Sequence, residues 1–113
     1  MNTQGFIRGM MAKNYSSEKF LVHVATTVER QLQEWNEQFE IMVAKLQNYF
    51  WIVRNGEESI YFTITEQEVE QLQNKSPYSL DRRIWEELEN HGIDIKIGPG
   101  NYMSYVFPDR RED

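Results

Sequence analysis

The sequence of 113 residues contains no cysteine, which excludes disulfides, thiolate catalysis and cysteine-based zinc sites. It also lacks any apolar run near the roughly 20 residues that span a bilayer. The N-terminal segment has no basic start followed by an apolar run of about 7–15 residues, as a signal peptide would have. We therefore expect a cytoplasmic protein without a membrane-bound segment.

Negative charge exceeds positive charge, and the excess lies in the second half of the chain. The net charge is −6. Residues 49–107 contain five basic and ten acidic residues, a net charge of −5, whereas residues 1–48 contain five of each. Because neutralising phosphates supplies much of the affinity for nucleic acid, this distribution argues against a nucleic-acid partner and against an anionic membrane.

The most regular pattern is an apolar seam with alternating spacings of four and three residues, typical of a helix. It predicts one amphipathic helix over about 17–48, capped by Ser16 or Ser17, and leaves open a break near residues 25–27. The seam consists of Leu21, Ala25, Val28, Leu32, Trp35, Phe39, Met42, Leu46 and Tyr49.

Such a helix would be about 45–50 Å long, whereas a compact chain of this size has a radius of gyration of only about 13–14 Å. The overhang must be broken or covered by a second chain. We therefore predict a homodimer whose helices meet along the middle of the seam. The residues assigned to this interface are Val28, Leu32, Trp35, Phe39 and Met42.

A change to period two after residue 48 predicts a β-hairpin. Strands at 49–54 and 58–65 flank Asn55-Gly56, a pair that favours a type I′ turn. A two-residue turn there places Trp51 opposite Ile60 and Tyr49 opposite Phe62. One face then collects the core-facing side chains Tyr49, Trp51, Val53, Ile60, Phe62 and Ile64.

Two short helices and a second hairpin are predicted after residue 64. Thr65 and Glu68 form a capping box for the first helix, and Ser79 caps the second, which ends at Gly92. Alternation over 93–97, a turn at 98–101 and an apolar run over 102–107 predict the hairpin. Its expected pairs are Ile97 with Tyr102, Ile95 with Ser104 and Ile93 with Val106.

The predicted fold class is α+β, with element order α-ββ-αα-ββ and a four-stranded antiparallel sheet. We expect an irregular lead-in over 1–15, one domain over 16–108 and a charged tail over 109–113.

From residue 60 onward, the order of strand, two helices and glycine-tipped hairpin resembles a winged-helix domain. That resemblance implies an alternative function as a nucleic-acid-binding transcriptional regulator. The helix that would enter the major groove has a net charge of −2 over 80–90, which opposes this alternative.

No residue pattern indicates a catalytic, metal or cofactor site. The two histidines, His23 and His91, are far apart, and Glu87 near His91 makes at most half of a metal site. No serine or threonine lies in a nucleophile elbow, and the glycines at 98 and 100 precede no phosphate-binding helix. We therefore expect a protein that is not an enzyme.

The favoured hypothesis is a small acidic interaction protein that binds an unidentified protein, as a regulator, antitoxin or immunity-type inhibitor does. A small enzyme with an unfamiliar site is a third alternative, which a deep pocket holding a perturbed carboxylate or His91 would favour. The support for an interaction protein is the second face of the predicted sheet, because antiparallel sheets normally turn a polar face to water and this one carries large apolar side chains. Either the long helix covers that face or another chain does. The candidate surface consists of Phe50, Ile52, Tyr61, Met103, Tyr105 and Phe107.

Overall fold

Three antiparallel strands in the order β1-β2-β3 form a single sheet among residues 5–98 and 101–110, which the computed structural model describes. The strands are β1 (Phe39–Lys45), β2 (Tyr49–Asn55) and β3 (Glu58–Ile64). Five helices complete the part of the fold formed by these residues. They are α1 (Gly5–Asn14), α2 (Ser17–Trp35), α3 (Glu66–Lys75), α4 (Ser79–Asn90) and α5 (Tyr102–Val106).

The order α-α-βββ-α-α-α differs from the predicted α-ββ-αα-ββ, so the predicted α+β topology with two hairpins is wrong. The first difference is the long helix, which ends at Trp35 instead of continuing to residue 48. Asn36 closes it with an extended backbone, and its side chain accepts a hydrogen bond from the Gln38 backbone N–H at 3.0 Å. The segment after Asn36 forms β1, with Phe39, Ile41 and Val43 on its inner side.

The hairpin over β2 and β3 is confirmed, but its register differs by two residues from the predicted one. Trp51 pairs with Phe62 and Asn55 with Glu58, so the turn is centred on Gly56 and Glu57. Gly56 has φ 63°, and no described residue other than glycine has a positive φ, which rules out the predicted type I′ turn at Asn55-Gly56. A shift of two residues keeps every side chain on its predicted face.

The second hairpin is absent. Residues 93–98 are irregular, although Ile93, Ile95 and Ile97 still pack against the core as their alternation predicts. Residues 102–106 form α5, capped by Asn101, and bury Tyr102, Met103 and Val106 on one side. With this hairpin missing, the winged-helix topology of the C-terminal half is also wrong. The predicted turn at 98–101 includes residues 99 and 100, which lie outside the described residues.

Several helix ends match the sequence pattern. Ser16 caps α2 by accepting from the Lys19 backbone N–H, and Thr65 caps α3 by accepting from that of Glu68. At the end of α4, Gly92 adopts φ 96° and the Ile93 N–H bonds to the Leu88 carbonyl, which is a Schellman ending. Ser79 does not cap α4, because it is already the first residue of that helix.

The core lies on one side of the sheet. Inner side chains of β2 and β3, such as Trp51 and Ile64, share one buried cluster with Leu32 of α2 and Trp85 of α4.

The radius of gyration is 13.5 Å and the longest extent is 33 Å. An α2 of 19 residues, about 28 Å long, fits within that extent, so the expected overhang is removed by the end of the helix. None of the described helices combines the length and apolarity needed to cross a membrane.

Candidate functional site: the outer face of the sheet

The outer face of the sheet is defined by strand alternation, because successive side chains point to opposite sides. The pairing of β1 with β2 and of β2 with β3 arranges its side chains in three rows across the strands. The rows are Glu40, Arg54 and Ser59; then Met42, Ile52 and Tyr61; then Ala44, Phe50 and Thr63.

The second and third rows expose large apolar side chains. Tyr61 is 66% exposed, Met42 45% and Phe50 43%, and Ile52 between them is partly buried. Because β2 is central, these residues form one continuous patch instead of scattered apolar positions. A monomer seldom leaves such a patch uncovered without an interaction to serve.

The end of the sheet nearest the β2–β3 turn is acidic. Glu37 precedes β1, Glu40 lies in the first row and Glu57 lies in the turn; all three are exposed. Gln38 approaches Gly56, which places the segment before β1 beside that turn. No ion pair involves these glutamates within the described residues. We call Glu37, Glu40 and Glu57 the acidic rim, and Arg54 is the cation within it.

Acidic residues on the helices contrast with the acidic rim because many of them have a cationic partner. Glu68 and Glu87 bind Arg83 at 3.0 Å and 3.1 Å, and Glu89 binds Arg110 at 2.8 Å. The acidic rim, in contrast, combines three glutamates that form no ion pair among the described residues with an adjacent patch of exposed apolar side chains.

The predicted interaction surface is assembled only in part. Phe50, Ile52 and Tyr61 share the outer face as predicted, whereas Met103 and Phe107 are fully buried in the core. Tyr105 is 41% exposed but lies on α5, where its ring stacks on Tyr78 with centroids 5.9 Å apart. Met103, Tyr105 and Phe107 are not part of the sheet because residues 102–106 form a helix instead of the predicted strand.

The residues assigned to a dimer seam are also separated. Val28 and Leu32 of α2 are fully buried within the chain itself, and Phe39 is nearly so. Trp35 packs against Trp85, with ring centroids 5.5 Å apart. Met42 belongs to the outer face, which the sequence pattern missed because it placed Met42 on a helix. The homodimer stays a prediction, but this seam does not offer it an interface.

The two edges of the sheet differ. On the free edge of β1, the Ile41 N–H donates to a Glu29 carboxylate oxygen at 2.8 Å, and Gln33 donates to the Phe39 carbonyl at 3.0 Å. These α2 side chains occupy backbone groups that would otherwise accept another strand. The edge of β3 that points away from β2 pairs with no strand among the described residues.

A buried polar cluster joins α1, α4 and α5. The Arg8 guanidinium makes a two-pronged contact with the Asp81 carboxylate, which also accepts from the Tyr102 hydroxyl at 2.5 Å. Trp85 donates to that hydroxyl at 3.1 Å. Burial raises the pKa of Asp81 and that of Tyr102. Since Arg8, Asp81, Tyr102 and Trp85 are all fully buried, no substrate reaches the cluster and it is structural.

The histidines form no catalytic or metal-binding arrangement within the described chain. His91 closes α4, and its Nε2 lies 3.7 Å from a Glu87 carboxylate oxygen, as its predicted helix-end position implies. It borders an open cavity of about 480 Å³ with Asn55, Glu58 and Ser59. The described residues include no group of three or more histidines or carboxylates placed to hold a metal ion.

Comparisons of the chain with models of protein families, with curated proteins and with solved structures find no match.

Proposed function

We propose that this protein is a non-enzymatic interaction protein that binds another protein through the outer face of its sheet. The observation that carries the proposal is the uncovered patch formed by Met42, Phe50, Ile52 and Tyr61. Aromatic side chains and methionine are enriched in the cores of protein interfaces, where they provide contact area at modest entropic cost.

The arrangement of the fold supports this reading. The helices pack on the inner side of the sheet, so the chain has its own core without using the outer face. Exposed Tyr61 therefore contributes little to the stability of the fold. A binding role would use this side chain, because burial of such a ring against a partner is favourable.

The test separates folding from binding within one strand. Tyr61→Ala should change the free energy of unfolding by less than about 0.5 kcal/mol because the ring is exposed. Ile64→Ala, on the inner side of β3 and fully buried, should cost about 2–5 kcal/mol. Urea denaturation measures both values.

Binding is measured with a variant that carries a photo-crosslinking amino acid in place of Tyr61. The variant is irradiated in native lysate, and the crosslinked proteins are identified by mass spectrometry. A matched probe at Gln71, exposed on α3, is the control. We expect a specific crosslinked protein at position 61 only, and its loss when Phe50→Ser is added. Equal capture at both positions, or capture insensitive to Phe50→Ser, would disprove the proposed surface.

A further inference from the structure

The dimensions of the outer face match one helix. Three strands spaced about 4.8 Å apart are about 14 Å wide, and seven residues at about 3.4 Å each are about 24 Å long. An α-helix with its side chains is about 10–12 Å across, and about 16 residues cover 24 Å. A single helix lying along β2 would therefore cover the patch and complete a second helical layer.

The charges of the face specify what that helix carries. The acidic rim places three exposed glutamates at one end, where the described residues supply no ion pair to them and Arg54 is the only cation of the first row. The third row, Ala44, Phe50 and Thr63, is uncharged. A partner is thus favoured if it carries cations at one end and apolar residues along its length.

A second copy of the chain fits this face less well. A second copy would bring its own acidic rim and a further charge of −6. Each copy would supply only one rim cation, Arg54, to the three glutamates of the other.

We infer that the outer face binds a single amphipathic helix of a basic partner protein, with lysine or arginine side chains meeting Glu37, Glu40 and Glu57. This inference rests on the proposed function and specifies the kind of partner. The apolar side of the helix packs on Met42, Ile52, Phe50 and Tyr61.

The probe is a fluorescent 16-residue peptide with leucine on one helical face and lysine on the other. Two peptides are matched to it: a scrambled sequence of the same composition, and a version with glutamate in place of lysine. We expect saturable one-to-one binding of the amphipathic leucine–lysine peptide alone, measured by anisotropy. Amide chemical-shift changes should concentrate on the outward-facing residues of β1, β2 and β3.

Protein variants distinguish the effect of the acidic rim on peptide binding from the effect of net charge. The triple variant Glu37→Gln, Glu40→Gln and Glu57→Gln should weaken peptide binding at least ten-fold. The control triple variant Glu18→Gln, Glu34→Gln and Glu70→Gln changes the net charge equally at exposed positions on α2 and α3. It should weaken binding less than two-fold, and Tyr61→Ser should weaken it at least ten-fold.

Three outcomes would overturn the inference: no peptide binding, equal weakening by both triple variants, or shift changes confined to the exposed Phe6, Ile7 and Met10 of α1. A particle of twice 13.6 kDa that Tyr61→Ser converts to a monomer would assign the face to a second copy instead. Specific crosslinking at position 61 together with failed peptide binding would reject the helix and leave the proposed function standing. Failure of both would reject both.

Discussion

Arg8 and Asp81 show how a single buried pair connects distant parts of the chain. Their side chains are completely excluded from solvent, and Arg8 also donates to the Pro77 carbonyl at 3.3 Å and lies 4.9 Å from the centre of the Tyr78 ring. Removing charges from water is costly, and the pairing offsets that cost only while both partners are present. Burial also raises the pKa of the Tyr78 hydroxyl to about 12, so this ring remains neutral beside the pair.

Arg8→Met should therefore lower the free energy of unfolding by about 3–5 kcal/mol, because Asp81 would be left charged and buried without its cation. The double variant Arg8→Met with Asp81→Asn should recover part of that loss. Urea denaturation measures both. The control is Asp109→Asn, which breaks the exposed Arg82–Asp109 pair and should change stability little, because solvent screens exposed ion pairs. A loss for Arg8→Met as small as that of the control would show that the pair does not hold α1 in place.

His23 makes stability depend on pH. Burial, reinforced by the nearby Arg8 and Arg30, lowers the pKa of its imidazole below the ordinary value of 6.5, and its Nε2 has no hydrogen-bond partner among the described residues. The unfolded chain therefore binds a proton to His23 at a higher pH than the folded chain does. Stability should fall as the pH drops through about 6.5 and level off below the lowered pKa.

Urea denaturation at about pH 7.5 and about pH 5 checks this expectation. His23→Gln should lose less stability over that interval than the wild-type protein does. An identical loss in His23→Gln and in the wild-type chain would contradict the assignment.

At the scale of elements, β1 shows how one segment can satisfy two periodicities. Phe39 and Met42 continue the heptad seam of α2, but Phe39, Ile41 and Val43 also alternate as a strand does. Pairing with β2 decides between them, because it buries the alternating set and satisfies the backbone of both strands. Glu29 and Gln33 then cover the free edge of β1, an arrangement that a continuous helix would not need.

The turn between β2 and β3 gives a test of the revised register. Gly56→Ala should cost about 1–2 kcal/mol, because alanine is strained at φ 63°. Asn55→Ala should cost less than about 0.5 kcal/mol, since Asn55 does not adopt a positive φ and its side-chain oxygen accepts no hydrogen bond from any described residue. The two free energies of unfolding are compared by urea denaturation. Similar losses would instead favour the type I′ turn centred on both residues.

For the whole molecule, the charge distribution opposes nucleic-acid binding. Arg82 pairs with Asp109 and Glu86, and Arg83 pairs with Glu68 and Glu87, so the adjacent arginines of α4 are already neutralised. Fluorescence anisotropy with labelled duplex DNA at about 50 mM salt should show no micromolar binding, although electrostatic attraction is strongest at low salt. Micromolar affinity that falls steeply with added salt would revive the nucleic-acid alternative. A duplex of the same length in about 200 mM salt is the control.

Features that depend on a few neighbouring residues could be predicted from the sequence. Caps at Ser16 and Thr65, the glycine ending of α4 and the two faces of the β2–β3 hairpin follow from local backbone chemistry and from strict alternation. Of the candidate surface, Phe50, Ile52 and Tyr61 were predictable for the same reason. The net acidity also follows directly from composition.

The conformation of segments rich in apolar residues depends on packing between distant elements, because both a strand and a helix can bury such residues. Residues 102–106 became a helix that places the Tyr102 hydroxyl against Asp81, 21 positions earlier, and Met103 in the core. Residues 39–45 became a strand because β2 offered a partner. The same choices brought Met42 to the outer face and removed Phe107 from it, since burial is shared among elements that local patterns do not bring together.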